Sequence, residues 1–564
     1  MSVKIKYADI APYAKENFVP SISDKASFIN PDQLQIDNLN VANYANPCEL
    51  YQTLLDGKAA VFPKTPTNES MGLWSSSISN EKGSFNVPPV LTLQTSGGRY
   101  VSPGLTLTFD TDNNIFCNDL NIKWYRDNSL IADMDFTPDV PTYFCKNEVD
   151  GYNKVVITFR KMNMPYNRLK LRSVDYGYIT IFNANELTNV NLIQEIDPIS
   201  ENLIINVCDF TFQRENPNIE YSFQKRQPLS IYFDNELKAT GFVDKSTRKG
   251  RDLWDIETID YIGILDSIKF TGGIYKEKNA VELLKSILTQ AKVPFRISDE
   301  LLQQKISGYI PICTCREAIT QICFAIGAVA DTSNSDRLEI YVLPSSAVKH
   351  ITKDRIHQGQ AFTNNDKITE VQLTVHSYVK SGETNEVYKA ADSGTGKNIF
   401  VEFSEPLYEL SISNGQIISN GANYAVIDAD ANCILSGYKY TDDITVKSRQ
   451  RPDLLANDIE NIKSITDKTL VSFDNADKIL NLCYEYITKN NYISLGIYET
   501  KEVIKYGTVR YGMVKYGENR FVEPVNVGEY ITTETEYLGV LDGRIISERF
   551  NLNGGIILKE CEMV

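Results

Sequence analysis

Histidine is almost missing from this chain: three occur in 564 residues, at His350, His357 and His376. Two fall in a polar loop and one in a strand-like run, and no serine elbow accompanies them. A Ser-His-Asp mechanism therefore has no foothold in the chain. No apolar run approaches ~18 residues, which excludes a membrane-crossing helix. The opening MSVKIKYADIAPYAKEN has no apolar core of the kind an export signal needs, so none is expected. Ten cysteines are present without a repeating interval. Cys313 and Cys315 with Cys323 lack the second ligand pair that structural zinc requires. Reduced, buried thiols are expected, with no metal and no cofactor.

Basic residues are also in deficit. Lys and Arg number 57 against 73 Asp and Glu, a formal net charge of -16. Sequence-specific nucleic-acid binding needs clustered cations and is not expected. Hydrophobic residues make up 42% and charged residues 23%, the balance of a folded chain. On a prior of about 150 residues per domain, three or four domains are expected. Tyrosine (32) and phenylalanine (24) far exceed tryptophan (3), a bias that suits strands and interfaces.

The chain reads as mainly β with α+β insertions. Over residues 1–175, TLTF (Thr106–Phe109), NIKWYR (Asn121–Arg126), KVVITF (Lys154–Phe159) and RLKLRSV (Arg168–Val174) are strand-like runs divided by Asn, Asp, Gly and Pro. Asp56-Gly57 and Asp127-Asn128 are hairpin turn signals. An antiparallel β-sandwich is expected. The strand order over Phe18–Asp175 resembles a discoidin-type jelly roll, which implies a carbohydrate- or lipid-binding role. Trp74, Trp124, Tyr125 and Tyr166 are then the candidates for stacking on a sugar ring. Trp124 and Tyr125 adjoin in one strand, so one points in and one out.

The most informative stretch is Lys225–Tyr275. Leu229, Ile231 and Phe233 alternate with polar residues, Asp234-Asn235 turns the chain, and Leu237, Ala239, Gly241 and Val243 alternate again. Trp254, Ile256 and Thr258 open a further strand that Ile262–Asp266 is expected to close. Asn279 is expected to cap a helix whose apolar stripe is Val281, Leu284, Ile287, Leu288 and Ala291, stopped by Pro294. Thr314 and Glu317 form a capping box for a second helix carrying Cys315, Ile319, Ile322, Ile326 and Val329. A strand over Arg337–Pro344 follows. Further strands are expected at Ile368–Val379 and Asn398–Pro406, with helices at Asp453–Ile465 and Ala476–Thr488.

The order of these parts, with GYIPICTCREA at 308–318 and a closing Gly543…Gly554-Gly555 cadence, resembles the tail hub (baseplate hub) proteins of contractile-tailed bacteriophages and phage tail-like bacteriocins. The resemblance spans Tyr176–Val564. It implies two hub-type barrels, at 176–275 and 366–564, with a small α/β domain at 276–365 between them. It further implies a homotrimer in a virion tail or baseplate, assembled in the bacterial host cytoplasm. That trimer would join a hexameric tail tube to a central spike and meet other baseplate proteins. No enzymatic activity is expected. A receptor-binding or cell-wall glycan-binding tail protein is the alternative, and a wall-degrading hydrolase a third reading.

One segment stands outside this frame. KYGTVRYGMVKYGENR repeats a basic-Tyr-Gly unit three times and presents Tyr506, Tyr511 and Tyr516. Aromatics between cations suit single-stranded nucleic acid, and equally a loop that contacts a partner protein. In an acidic chain the partner-contact reading is preferred.

Overall fold

The computed structural model describes the chain apart from residues 1–2, 12–13, 27–29, 36–43, 46–59, 62–71, 112, 215–225, 234–235, 251, 354–355, 357–360, 490, 498–508, 511–512, 515–523, 536–538 and 554–555. The expected turns at Asp56-Gly57 and Asp234-Asn235, the Gly554-Gly555 pair, Cys48 and His357 lie outside the described residues. The protein is mainly β. It divides into two units, Lys6–Ile181 and Phe182–Val564 with Met1–Ile5. The expected spans 276–365 and 366–564 fall together in the second unit.

The first unit is an antiparallel sandwich. Val19–Ile22, Val90–Gln94, Lys154–Met162, Cys117–Arg126 and Ser129–Phe136 form one sheet in that order. Thr142–Tyr152, Tyr100–Thr108 and Ser173–Asp175 form the other. Strand alternation sends Leu91, Leu93, Ile122, Trp124, Val155 and Ile157 into one core with Leu105, Leu107, Cys145 and Val174. Asp127 and Asn128 both take positive φ (49° and 80°), the geometry of a two-residue I′ hairpin that Asn and Asp tolerate.

In the second unit, antiparallel strands run in the order Pro228–Phe233, Glu236–Arg248, Leu253–Ile259, Val207–Gln213, Leu187–Glu195, Gly539–Asn553, Ile556–Met563, Asn491–Gly496 and Ala361–Asn364. The chain therefore returns at its end to the sheet on which this unit began. Leu192 stands opposite Phe550, and Phe550 meets Phe233 edge-on with ring centroids 5.1 Å apart. The strands of 366–564 consequently serve two sheets. Those near the C-terminus complete the sheet above. Gly396–Glu402, Tyr424–Gln450, Glu370–Lys389 and Ile462–Ile465 form a second one, with Leu407–Asn420 also on Tyr424–Gln450. The helix Ala476–Ile487 packs on it through Ile479, Leu480 and Cys483, against Val371, Leu373 and Val375.

Between these sheets in sequence lies a compact α/β element. Asn279 caps Ala280–Ala291 by accepting from the Glu282 amide. Thr314 and Glu317 close the capping box of Cys315–Ile326, and Gly327 ends that helix in the left-handed region. Val329 belongs to the following strand, Val329–Asp331, rather than to the helix stripe.

Two expectations are corrected. Tyr261–Leu265 is a short helix, not a closing strand, because Asp260 accepts from the Gly263 amide and buries Ile262 and Leu265 together. Burial pushes the Asp260 carboxyl up to about 6, opposed by hydrogen bonds from Thr332, Gly263 and Asn206. Asp453–Ile465 is a turn followed by the strand Ile462–Ile465, not a helix. There Arg451 pins Asp453 at 2.8 Å, and Asp458 takes Lys367 and the Leu455 amide, each at 2.8 Å. Acidic side chains that bind nearby backbone and cations favour such a turn over a helix interior.

The Gly272-Gly273 turn joins two of these parts. Gly272 has φ +64°, and a Cβ there would fall on the carbonyl oxygens of Ile310 and Pro311 and lie 2.6 Å from the Asn423 amide nitrogen. Buried Asn423 donates to the Thr271 and Ile310 carbonyls at 2.8 and 2.9 Å. Gly272→Ala should therefore destabilise this unit by about 3 kcal/mol, from backbone strain and overpacking together. Thermal unfolding of the full chain checks it, and Gly250→Ala, at an open position, should leave the melt unchanged.

Candidate functional site

Trp74 and Trp124 are 3% and 0% exposed and cannot stack on a sugar in solvent. This corrects their place among the glycan candidates. Trp124 meets Phe136 edge-on inside the sandwich, and Lys170 lies over the Trp74 ring at 4.2 Å. Tyr125, the next residue, is half-buried on the outer side with Lys154 over its ring at 5.4 Å. Tyr166 is 42% exposed, with φ 56°.

Around Tyr125 the outer side of the five-stranded sheet is polar. Asn121 donates to Asp133 at 2.7 Å and to Asp135 at 3.0 Å. Arg160 bridges Asp135 (2.7 Å) and Asp119 (3.4 Å), and Lys123 reaches Asp133 at 3.3 Å. Both Asp133 and Asp135 are held below the usual carboxylate range, first by the Asn121 hydrogen bond. The face thus presents ionised acceptors and fixed donors beside one aromatic ring, the elements that hold a polyhydroxylated ligand.

The remaining sequence candidates are distributed as follows. His376 is enclosed in its sheet, with Nδ1 2.7 Å from Asp442 and its ring stacked on Tyr378. His350 is exposed and faces Glu534. Cys315 and Cys323 are buried in the helix core, and burial pushes the Cys323 thiol up to about 12. Tyr506, Tyr511 and Tyr516 lie outside the described residues, although Val509–Arg510 and Met513–Val514 between them pair as a short hairpin.

Sequence reasoning missed an open strand edge. Asp442–Gln450 pairs on one side, with Glu370–Tyr378, and among the described residues no strand covers its other side. Ile444 (61% exposed) and Val446 (57%) point outward there. Only the extreme length of the strand Tyr424–Gln450 hints at this, because exposure depends on which neighbours are absent.

Comparison with known proteins gives structural likenesses alone: no family model and no curated protein matches. The 43 kDa tail protein of prophage MuSo2 from Shewanella oneidensis is similar at 11% identity, over 68% of this chain and 95% of that one, with a TM-score of 0.41. The tail protein from Neisseria meningitidis MC58 is similar at 11% identity, over 68% and 93%, with a TM-score of 0.40. The E. coli c3393 protein, a component of the type VI secretion system, gives 7% identity over 67% and 73%, with a TM-score of 0.33. At these scores the fold description rests on the strand pairings above.

Proposed function

We propose that the chain is a structural component of a phage-type tail, acting as its hub: a homotrimeric adaptor between a hexameric tube and a central spike. The observation that carries this reading is the return of the closing strands to the opening sheet, Leu192 opposite Phe550. The strands of 187–259 and those of 539–563 thereby share one sheet, with the α/β element between them in sequence. The open edge at Asp442–Gln450 gives a copy-to-copy or neighbour contact a hydrogen-bonding rim with apolar teeth. In this reading 1–175 is an appended sandwich, 176–275 and 366–564 are the hub barrels, and 276–365 is the spacer. The chain is a scaffold in the tail or baseplate rather than an enzyme.

Mass determination on the purified chain should give three copies per assembly, and an image of the intact particle should place it on the tail axis. A strictly monomeric, peripheral protein in an intact tail would sink the proposal. Tyr506, Tyr511 and Tyr516 are proposed as a contact with a tail partner. Replacing all three by serine should weaken co-assembly, and unchanged assembly would remove that role.

A second reading is favoured by the polar outer face around Tyr125. Cell-wall glycan would bind there, with Tyr125 as the accessible ring. Loss of wall-polysaccharide binding in a Tyr125→Ala variant of the full chain supports it, and binding to no wall polysaccharide excludes it.

A further inference from the structure

A cleft of the second unit, with a volume of about 770 Å³, is lined by residues of its main sheet. Its floor follows from strand register. Glu195 stands opposite Ser547, and Ser547 opposite Glu562, on three adjacent strands. Directly opposed residues share a face, so two carboxylates flank one hydroxyl about 10 Å apart across two strand spacings. The Ser547 hydroxyl lies 3.0 Å from Glu195 Oε1. Asp197, Glu201 and Asp366 add three further acids to the walls.

The cations in the cleft do not cancel this charge. Lys463 and Glu201 neutralise each other at 2.7 Å, which leaves Glu195, Asp197, Asp366 and Glu562 against Lys489 alone among the lining residues. The negative field is felt by its neighbours. Burial raises Asp197 against the amides of Asn202 and Ile199, and Glu201 adds to the rise; burial raises Tyr486, to which Tyr492, Asp197 and Glu201 add. Ile199, Ile368 and Ile487 supply an apolar strip that suits the methylene stems of long cationic side chains. Among the described residues no three acidic, His or Cys side chains stand close enough to hold a metal ion, so the fitting cation is an organic one.

A second feature points to a polypeptide. The sheet ends on Ala361–Asn364, which pairs on one side only among the described residues and is exposed along its whole length. Asn365 and Asp366, the next two residues, line the cleft. A chain added along this edge would pass Asp366 on the cleft wall, with two strands between it and the strand of Glu562.

We propose that this cleft and edge together form a docking site for an extended, Lys/Arg-bearing segment of a partner protein. The site stands on its own geometry and does not require the tail reading. The test measures fluorescence anisotropy of a labelled, acetylated and amidated nonapeptide alternating Lys and Val, against the full chain at about 0.15 M salt, where surface charges are screened beyond about 8 Å. The variant Glu195→Gln/Asp366→Asn/Glu562→Gln should bind at least about tenfold more weakly, a loss of about 1.4 kcal/mol. Glu300→Gln/Glu383→Gln/Asp474→Asn removes the same charge from exposed positions elsewhere and should stay within about twofold of the parent, since surface charges outside the site contribute little. Equal losses in the two variants, no binding of the Lys–Val peptide, or displacement by spermine as effective as by unlabelled peptide would each overturn the proposal. Binding with a monomeric chain would leave this inference standing while the hub reading fails.

Discussion

Lys559→Met should destabilise the second unit by about 3–5 kcal/mol, the cost of removing one partner from a buried ion pair. Lys559 and Glu548 are 3% and 1% exposed and lie 3.1 Å apart on adjacent strands. The ammonium also donates to the Val525 carbonyl and sits 5.0 Å from the centroid of the Phe550 ring. Removing the cation takes from buried Glu548 the counter-charge that lies 3.1 Å away. The single variant should melt well below the parent. Glu548→Leu/Lys559→Met should recover most of the loss, because two apolar groups have no ionic desolvation to offset. Additive losses in the double variant would show that packing, and not charge, holds these strands. The result bears on the hub proposal, since these strands close the sheet on which it rests.

Trp124→Ala is expected to cost the sandwich about 3–5 kcal/mol, as the loss of a fully buried aromatic does. The indole fills the core between Val155 and Ala132 on its flanking strands. Its N–H finds no hydrogen-bond partner among the described residues. Trp124→Phe should therefore cost markedly less than Trp124→Ala, because it deletes an unpaired polar group along with some volume. Tyr125→Ala, one residue on but facing outward, should stay within about 0.5 kcal/mol. Hydrogen exchange across Cys117–Arg126 in the full chain reads all three variants in the same peptide. A stability loss at Tyr125 equal to that at Trp124 would contradict the assignment of faces. The same pair separates folding from binding: Tyr125 is the residue whose loss should touch glycan affinity while leaving stability alone.

Local grammar was legible in the sequence wherever one residue decides the outcome. Asn279 and Thr314 announced their helices because a side-chain acceptor at the first turn satisfies amides that would otherwise lack partners. The hairpin on either side of 234–235 was legible from period-two alternation, and the adjacency of Trp124 and Tyr125 required one to face in. Where two signals competed, the pattern misled. Ile262–Asp266 looked like the end of a strand because its apolar residues cluster, yet Asp260 capped it into a helix. The apolar spacing after Asp453 looked helical, but ion pairs to Lys367 and Arg451 held the segment in a turn.

The sequence by itself determined a β-rich chain, the capped helices at Ala280–Ala291 and Cys315–Ile326, and the inward or outward sense of strands such as Cys117–Arg126. These follow from contacts a few residues long. Tertiary structure alone decided which strands are neighbours. Leu192 meets Phe550, and Glu195, Ser547 and Glu562 form a row, only because distant strands share a sheet. Register between remote strands is set by packing of whole faces and by loop closure, neither of which leaves a local trace. For that reason the acidic cleft and the open edge at Asp442–Gln450 were invisible in the sequence, and they are the surfaces from which function is now argued.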